Sequence, residues 1–192
     1  MMKYDMLVNK ENPLSNDYVP EGLVEYPEYN GPKIDPTHKT LVEKETLEAF
    51  WELQAAAKAD GYHIIIDSAY RSYDYQVKVL NHWLEKEGEK AYTFVAMPGT
   101  SEHQTGLAFD IALYRNGEYT DDLNEKMPEI LWMNENAWRF GFILRYPKGT
   151  QDITGFKYEY WHFRYVGREV ALMMHDDGIV TLEEYHQRKR SR

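Results

Sequence analysis

The sequence predicts an α+β fold, a central antiparallel sheet with helices packed on it, and three observations support that prediction. Stretches with helical spacing and stretches with strand alternation both occur, but they follow no regular β-α-β rhythm. Residues 107–113 alternate between large apolar and smaller side chains, as a half-buried strand does. Asn116-Gly117 follows that stretch and is typical of a hairpin turn between neighbouring antiparallel strands.

Recognisable start and stop signals bound the predicted elements. Ser72 caps the second helix, and Gly61 and Gly141 follow the first and the third. Apolar spacing predicts helices over 40–59, 72–87 and 128–140, and the capping-box spacing of Thr181 and Glu184 begins a short last helix. The predicted strands are 62–67, 107–113, 142–145 and 161–166.

The chain length of 192 residues, with 43% hydrophobic and 28% charged residues, predicts a single domain over 1–192. Five prolines between residues 8 and 40 predict an irregular N-terminal arm over 1–40. Apolar side chains in the arm indicate that it packs on the body of the protein. They are Leu14, Val19, Leu23, Val24, Tyr26 and Tyr29.

Composition excludes several classes of protein. The formal net charge of −10 argues against nucleic-acid binding, which usually requires a basic face. We therefore expect no nucleic-acid partner, and we interpret the basic run at 188–190, with Arg192, as a solvated tail. The absence of cysteine excludes disulfides, a thiol nucleophile and thiolate metal ligands. We also expect no membrane span, because no stretch is long and apolar enough.

A candidate metal site begins in the segment from Ser101 to Asp110. Asp110 alternates with Ala108 and Ala112, and these small neighbours leave room above the strand for an ion and a substrate. His103 lies seven residues earlier, which in an uninterrupted strand would be on the opposite face. A bend or bulge at Gly106 would bring the two side chains together.

A second segment adds Glu159 and His162, three residues apart at the edge of a predicted strand. Together with the distant His103 and Asp110, they make a three-ligand zinc site with one acid left over. Three protein ligands leave a position for water, whose pKa zinc lowers to about 7. A carboxylate that does not bind the metal can take the proton, and Glu159 is the acid free for this role.

Each residue also has a structural interpretation. His162 lies between aromatic residues, where a histidine is more often part of the core than a ligand. Asp110 alone could bond backbone groups at a bend, and Glu159 alone could be a surface charge. The joint pattern, with Ser101 and Gly106 in place, favours the metal site.

The motif Ser-x-His-x-x-Gly-x-Ala-x-Asp at 101–110, followed by Glu-x-Trp-His at 159–162, resembles the VanY/VanXY family of D-alanyl-D-alanine carboxypeptidases and dipeptidases, which are zinc peptidases. The resemblance spans nearly the whole chain and implies a Hedgehog/DD-peptidase-like fold. Further similar segments are 7–10, Tyr70-Arg71-Ser72, Pro98-Gly99, 141–147, 153–155 and 181–185.

The resemblance implies roles for individual residues. His103, Asp110 and His162 correspond to the ligands of Zn2+, and Glu159 corresponds to the catalytic base. Arg71 corresponds to the arginine that polarises the scissile carbonyl and stabilises the oxyanion, although an arginine at this position could also form a structural ion pair.

Two further residues are candidates for substrate binding. Ser101 either bonds the terminal carboxylate or amide of the substrate or shapes the turn before His103. Gln76 lies one turn into the helix after Arg71 and either points the same way or faces water.

The function that this resemblance implies is a D,D-carboxypeptidase that removes the terminal D-Ala from peptidoglycan stem pentapeptides or their precursors. Such an activity could remove the target of vancomycin-type antibiotics and so confer antibiotic resistance, or it could remodel the cell wall. We expect a monomer that is cytoplasmic if the chain is native, or extracellular on the cell-wall side if a leader has been removed.

Other functions stay open. The family also includes L,D-carboxypeptidases that act on tetrapeptides and D-Ala-D-Ala dipeptidases. A loop at 114–130 that closed the site would favour the free dipeptide, whereas an open groove would favour the longer peptide. A non-catalytic, metal-containing binding module is the third alternative, and the presence of Glu159 and Arg71 argues against it.

Overall fold

The computed structural model describes residues 4–28, 34–35 and 37–191. The predictions for Tyr29, for Arg192 and for two of the five prolines, Pro32 and Pro36, concern residues outside these ranges. The strands are β1 Leu23–Glu25, β2 Leu41–Glu43, β3 Ile64–Ser68, β4 Ala108–Arg115, β5 Glu118–Thr120, β6 Phe142–Leu144 and β7 His162–Tyr165. The helices are α1 Lys44–Ala59, α2 Tyr73–Glu87, α3 Pro128–Asn136, α4 Gln151–Thr154, α5 Arg168–Asp176 and α6 Leu182–Arg190, with 3-10 turns at Gly88–Thr93, Glu102–Thr105 and Ala137–Phe140.

Five strands form an antiparallel sheet, which confirms the predicted α+β class. The strand order is β3-β4-β7-β6, and β5 pairs with β4. The predicted hairpin at Asn116-Gly117 joins β4 to β5, with Arg115 opposite Glu118. Asn116 has a φ of 54° and Gly117 a φ of 83°. Positive φ at both central residues is what a tight hairpin turn requires.

The main hydrophobic core lies between the sheet and the helices packed on it. Apolar residues of α1, such as Phe50, meet those of β4, such as Phe109, and the two ring centroids are 5.1 Å apart. The prediction that β4 is half-buried is wrong, because Ala108 and Ala112 on its second face are also fully covered. Alanine is small enough for either environment, so the alternation did not reveal that this face is covered.

The predicted start of the first helix is also wrong. Residues 41–43 form β2, which pairs antiparallel with β1 inside the predicted irregular arm. The helix begins after Glu43, whose carboxylate accepts a hydrogen bond from the Thr46 amide at 2.9 Å. Pairing with a distant strand overrides the local helical pattern here, and the cap marks the true start of α1.

The arm contacts the body unevenly. Tyr26 is 2% exposed and belongs to the main core, whereas Val19 is 62% exposed and does not pack on the body as predicted. Leu14 lies between these extremes and its amide bonds the Gly99 carbonyl at 2.8 Å. Leu23, Val24 and the rest of β1 are half-buried or exposed.

The C-terminal part follows its predicted local signals. The third helix changes to a 3-10 turn before Gly141, which has a φ of 91°. At the start of α6, the Glu184 amide donates to the Thr181 hydroxyl and the Thr181 amide donates to the Glu184 carboxylate, so the capping box is formed. Helix α5, at 168–176, was not predicted. No helix among the described residues is long and apolar enough to cross a membrane.

Candidate metal centre

Strand register brings Asp110 and His162 side by side. Asp110 of β4 lies directly opposite His162 of β7, and Ser68 of β3 lies opposite Asp110 on the other side. Directly opposed residues in an antiparallel pair have Cβ atoms about 4.5–5.5 Å apart and point to the same face. The Asp110 Oδ1 atom is 2.9 Å from His162 Nδ1.

A bend at Gly106 delivers His103 to the same place. The 3-10 turn at 102–105 ends at Gly106, which has a φ of 70° in the left-handed region. A side chain there would also be obstructed, since a Cβ atom would lie 2.9 Å from Leu23 Cδ2. The His103 Nε2 atom lies 3.4 Å from Asp110 Oδ1.

Three potential ligands therefore converge. One atom each from His103, Asp110 and His162 lies within 4.8 Å of the other two, which is close enough for a single metal ion. Both histidines are buried and the aspartate is half-buried. His103 donates its Nδ1 proton to the Ala69 carbonyl at 2.6 Å, which leaves Nε2 free to bind a metal.

Charged groups around this cluster of three potential ligands determine which of its side chains carry a proton. Burial and the nearby Arg71 lower the pKa of His103 to about 4, so this ring is neutral at pH 7. Burial opposes the charged form of Asp110, but the two histidines and Arg71 outweigh it and hold its pKa well below the usual range. Burial also opposes the charged form of His162, yet the carboxylates of Asp110 and Glu102 raise its pKa to about 9. A metal ion bound through Nδ1 would compete with that proton.

Arg71 lies beside the cluster. Its guanidinium donates to Asp110 Oδ2 at 2.7 Å, to Ser68 Oγ at 3.0 Å and to Gln76 Oε1 at 3.4 Å. Gln76 is buried and donates its amide N–H to the Ala96 carbonyl at 2.8 Å, so it does not face water. Its two amide atoms hold Arg71 to the loop that contains Ala96.

Glu159 and the cluster line one cavity. Glu159 is 6% exposed, and burial raises the pKa of its carboxylate to about 7 against the opposing effect of the nearby His162. Ser101 also lines the cavity, and its hydroxyl forms no hydrogen bond with the described residues. The lining residues are Arg71, Gln76, Val79, Trp83, Phe94, Val95, Ala96, Ser101, Glu102, His103, Asp110, Tyr146, Phe156, Glu159, Trp161 and His162.

No residue of the stretch 114–130 lines this cavity. Part of that stretch is β5, which pairs with β4, and the Leu123 carbonyl accepts a hydrogen bond from the Tyr160 hydroxyl at 2.6 Å. Pairing and this hydrogen bond hold the stretch against the body. The cavity is therefore not closed by this stretch.

The sequence pattern did not predict a buried ionic network that lies behind the three potential ligands. Glu102 accepts hydrogen bonds from Arg145 and Arg164, and Arg145 also bonds Glu183. The only local signal was an acidic residue beside His103 and an arginine inside each of two predicted strands. Nothing in the local pattern indicated that these charges meet.

Comparisons with known proteins agree with this geometry. Residues 39–168 match the VanY family, described as D-alanyl-D-alanine carboxypeptidase. A curated D-alanyl-D-alanine carboxypeptidase of Enterococcus faecalis is 37% identical over 191 residues, which cover 94% of this chain and 64% of the relative. The chain spans 56–66% of the length of three curated relatives that it matches.

Two solved structures are similar in fold and sequence. The LdcB LD-carboxypeptidase has a TM-score of 0.81 and 41% identity, covering 94% of this chain and 84% of that one. The vancomycin resistance D,D-pentapeptidase VanY, solved as a mutant in complex with Zn(II), has a TM-score of 0.78 and 33% identity, covering 95% of this chain and 98% of that one.

Proposed function

The chain belongs to the VanY family of D-alanyl-D-alanine carboxypeptidases, and from this premise we propose that it is a zinc-dependent D,D-carboxypeptidase. Its substrate is a peptidoglycan stem pentapeptide or a precursor, from which it removes the terminal D-Ala. The observation that carries the proposal is the convergence of three potential metal ligands, a buried carboxylate (Glu159) and a guanidinium (Arg71) on one cavity.

We assign the metal to His103, Asp110 and His162. Two imidazoles and one carboxylate are a donor set that suits zinc and leaves a fourth position open. The fit is good because a ring nitrogen of each histidine faces Asp110 Oδ1, at 3.4 and 2.9 Å. When bound, zinc lowers the pKa of a bound water to about 7 and polarises the scissile carbonyl. The Zn(II) complex of the similar VanY structure supports this choice of metal.

Glu159 acts as the general base in this proposal. Its carboxylate accepts the proton of the attacking water and passes it to the amine of the departing D-Ala. A base is most effective when its pKa lies near the working pH, and burial raises the pKa of Glu159 to about 7. The positive charge of a bound metal would lower this value.

Arg71 stabilises the negative charge that develops on the carbonyl oxygen. Its fixed position supports this role, since Asp110, Ser68 and Gln76 all accept hydrogen bonds from its guanidinium. In this proposal Gln76 contributes by holding Arg71 in place and not by contacting the peptide directly. Ser101 is proposed to bond the terminal carboxylate or amide, because its hydroxyl lines the cavity without a protein partner among the described residues.

An L,D-carboxypeptidase acting on stem tetrapeptides is the second candidate function. The specific observation in its favour is the LdcB LD-carboxypeptidase, which is 41% identical to this chain and has a TM-score of 0.81. The metal, the base and the oxyanion donor would be the same in both reactions, so the difference lies in how the residue before the scissile bond is held.

The cavity argues against a site reserved for a free dipeptide and against a non-catalytic binding module. The stretch 114–130 does not line the cavity, so it does not close the site in the way that would favour a free dipeptide over a longer peptide. A binding module needs neither a buried carboxylate with a pKa near 7 nor a fixed guanidinium beside its metal, and Glu159 and Arg71 supply both.

The test is mass spectrometry of the products after incubation of the zinc-loaded protein with a stem pentapeptide, a stem tetrapeptide and D-Ala-D-Ala, each separately. Loss of one D-Ala from the pentapeptide supports the leading function. Cleavage of the tetrapeptide alone supports the L,D-carboxypeptidase. No cleavage of any substrate, with zinc confirmed bound, contradicts both.

Two variants assign the loss of activity to the base. Glu159→Gln should retain zinc and lose turnover by about 10²- to 10⁴-fold, because it removes the proton acceptor. Glu129→Gln is the matched control, since Glu129 is also 6% exposed but lies outside the cavity. Equal turnover in Glu159→Gln and the unmutated protein would exclude Glu159 as the base.

A further inference from the structure

A buried carboxylate, that of Glu102, lies next to the ligand cluster and has no role in the mechanism above. Glu102 precedes His103 in the sequence, but its side chain approaches the other histidine, with Oε2 3.7 Å from His162 Nε2. Both of these atoms are buried, and neither has a hydrogen-bond partner among the described residues. Two partnerless polar atoms facing each other in a protein interior require an explanation, because leaving either one unsatisfied is costly.

The second oxygen of Glu102 is fully engaged. Oε1 accepts hydrogen bonds from Arg145 Nε at 2.8 Å and from Arg164 Nη1 at 2.7 Å. Arg145 is held in turn by Glu183 of α6, and Arg164 by two carbonyls in the N-terminal segment. Two guanidinium groups thus fix the carboxylate so that Oε2 points towards His162. Neutralising the two arginines would not by itself require Oε2 of Glu102 to point towards His162.

The two histidines of the cluster need opposite tautomers. His103 donates Nδ1–H to the Ala69 carbonyl at 2.6 Å, so its Nε2 faces the metal position. His162 has Nδ1 next to Asp110, at 2.9 Å, so Nδ1 faces the metal position and Nε2 must carry the proton. A proton on Nε2 needs an acceptor, and Glu102 Oε2 is the carboxylate atom that faces it.

We infer that Glu102 is a positioning residue, which accepts the Nε2–H of His162 and so fixes the tautomer that presents Nδ1 to the metal. The inference rests on the proposed metal site. The present 3.7 Å separation becomes an ordinary N–H···O hydrogen bond of about 2.9 Å after a movement of about 0.8 Å. Such a carboxylate behind a metal-bound histidine orients the ring and raises its basicity.

Glu102→Gln tests the inference through zinc affinity, measured by competition with a fluorescent chelator. The amide oxygen can still accept from the two arginines, but the amide NH2 then faces Nε2 and favours the wrong tautomer of His162. We expect the zinc Kd to rise roughly 10- to 100-fold. Glu183→Gln is the matched control, because it removes a carboxylate from the same network without facing His162. A Kd that is unchanged in Glu102→Gln, or raised equally in both variants, overturns the inference.

A second measurement needs no variant and therefore does not depend on how Glu102→Gln folds. Nitrogen-15 NMR of the histidine rings in the zinc-loaded, unmutated protein should find a slowly exchanging proton on His162 Nε2 and a metal-shifted Nδ1. Zinc bound through Nε2, or a rapidly exchanging Nε2 proton, overturns the role of Glu102. Failure of the unmutated protein to bind zinc is a different result, which overturns the proposed metal site and the role of Glu102 with it.

Discussion

The buried network behind the cluster allows a quantitative test of what holds the C-terminal helix to the body. Glu102, Glu183, Arg145 and Arg164 contribute two negative and two positive charges, and their side chains are at most 9% exposed. Replacing Glu183 by Met leaves one buried positive charge without a counter-charge. Replacing Arg145 by Met leaves one buried negative charge instead.

Each single replacement should be strongly destabilising. Removing one partner of a buried ion pair typically costs about 3–5 kcal/mol, because the remaining charge is neither solvated nor paired. Arg145 also donates two hydrogen bonds to Glu183, at 2.9 and 2.7 Å, so either replacement removes both of these bonds. The double variant restores charge balance between Glu102 and Arg164. It should therefore cost less than the sum of the two single costs, by about 2–3 kcal/mol.

Urea unfolding followed by circular dichroism measures these free energies, with a chelator present so that metal binding does not contribute. Arg168 and Glu52 provide the control, because they lie 2.6 Å apart but are 50% and 61% exposed. Removing either of them should cost less than about 1 kcal/mol. Single Arg145 or Glu183 variants that cost this little, or a double variant that is additive within about 0.5 kcal/mol, would refute the reasoning.

Three further predictions concern other parts of the chain. Burial raises the pKa of Asp67 to about 6, so the folded protein binds this proton more tightly than the unfolded chain and loses stability as the pH rises through about 4 to 6. Asp67→Asn should therefore raise the free energy of unfolding more at about pH 7.5 than at about pH 4, and the difference should be up to about 3 kcal/mol. An equal increase at both pH values would contradict the raised pKa of Asp67. Gly141→Ala places a Cβ atom 2.7 Å from Tyr165 Cε2 at a φ of 91°, so thermal unfolding should find it clearly less stable than Gly117→Ala, which meets open space at a φ of 83°. Thr181→Ala removes the helix cap and should cost about 1 kcal/mol by urea unfolding, and no loss would exclude a contribution from the cap.

Local signals in the sequence predicted much of the fold. Ser72 caps α2 through its hydroxyl, which accepts from the Tyr75 amide at 3.1 Å, and the hairpin at Asn116-Gly117 lies where its residue types indicate. These features succeed because each depends on contacts within a few residues. The antiparallel arrangement followed from that hairpin and from the absence of a β-α-β rhythm.

Features that depend on distant contacts were not predictable in the same way. The local pattern predicts a helix over 41–43, but the pairing of this stretch with 23–25 makes it a strand. The sequence pattern grouped His103, Asp110 and His162, yet the register that sets Asp110 opposite His162 depends on the alignment of two strands whose paired residues are 52 positions apart. Glu102 was missed for the same reason, because its partners Arg145, His162 and Arg164 come from two distant segments of the chain.

The contacts of Arg71 would allow one side chain to serve both the proposed metal ligands and the substrate. A guanidinium has five N–H donors in a fixed plane. Three contacts are made with Ser68, Gln76 and Asp110, through Nε, Nη1 and Nη2 respectively. Two donors therefore remain for a carbonyl oxygen in the cavity, so the ion pair with Asp110 need not break when an oxyanion forms. A lysine at this position would supply the charge without the fork, and it could not hold Asp110, Ser68 and the substrate at fixed angles. The proposed oxyanion donor is thus kept in place by the proposed metal ligand that it contacts.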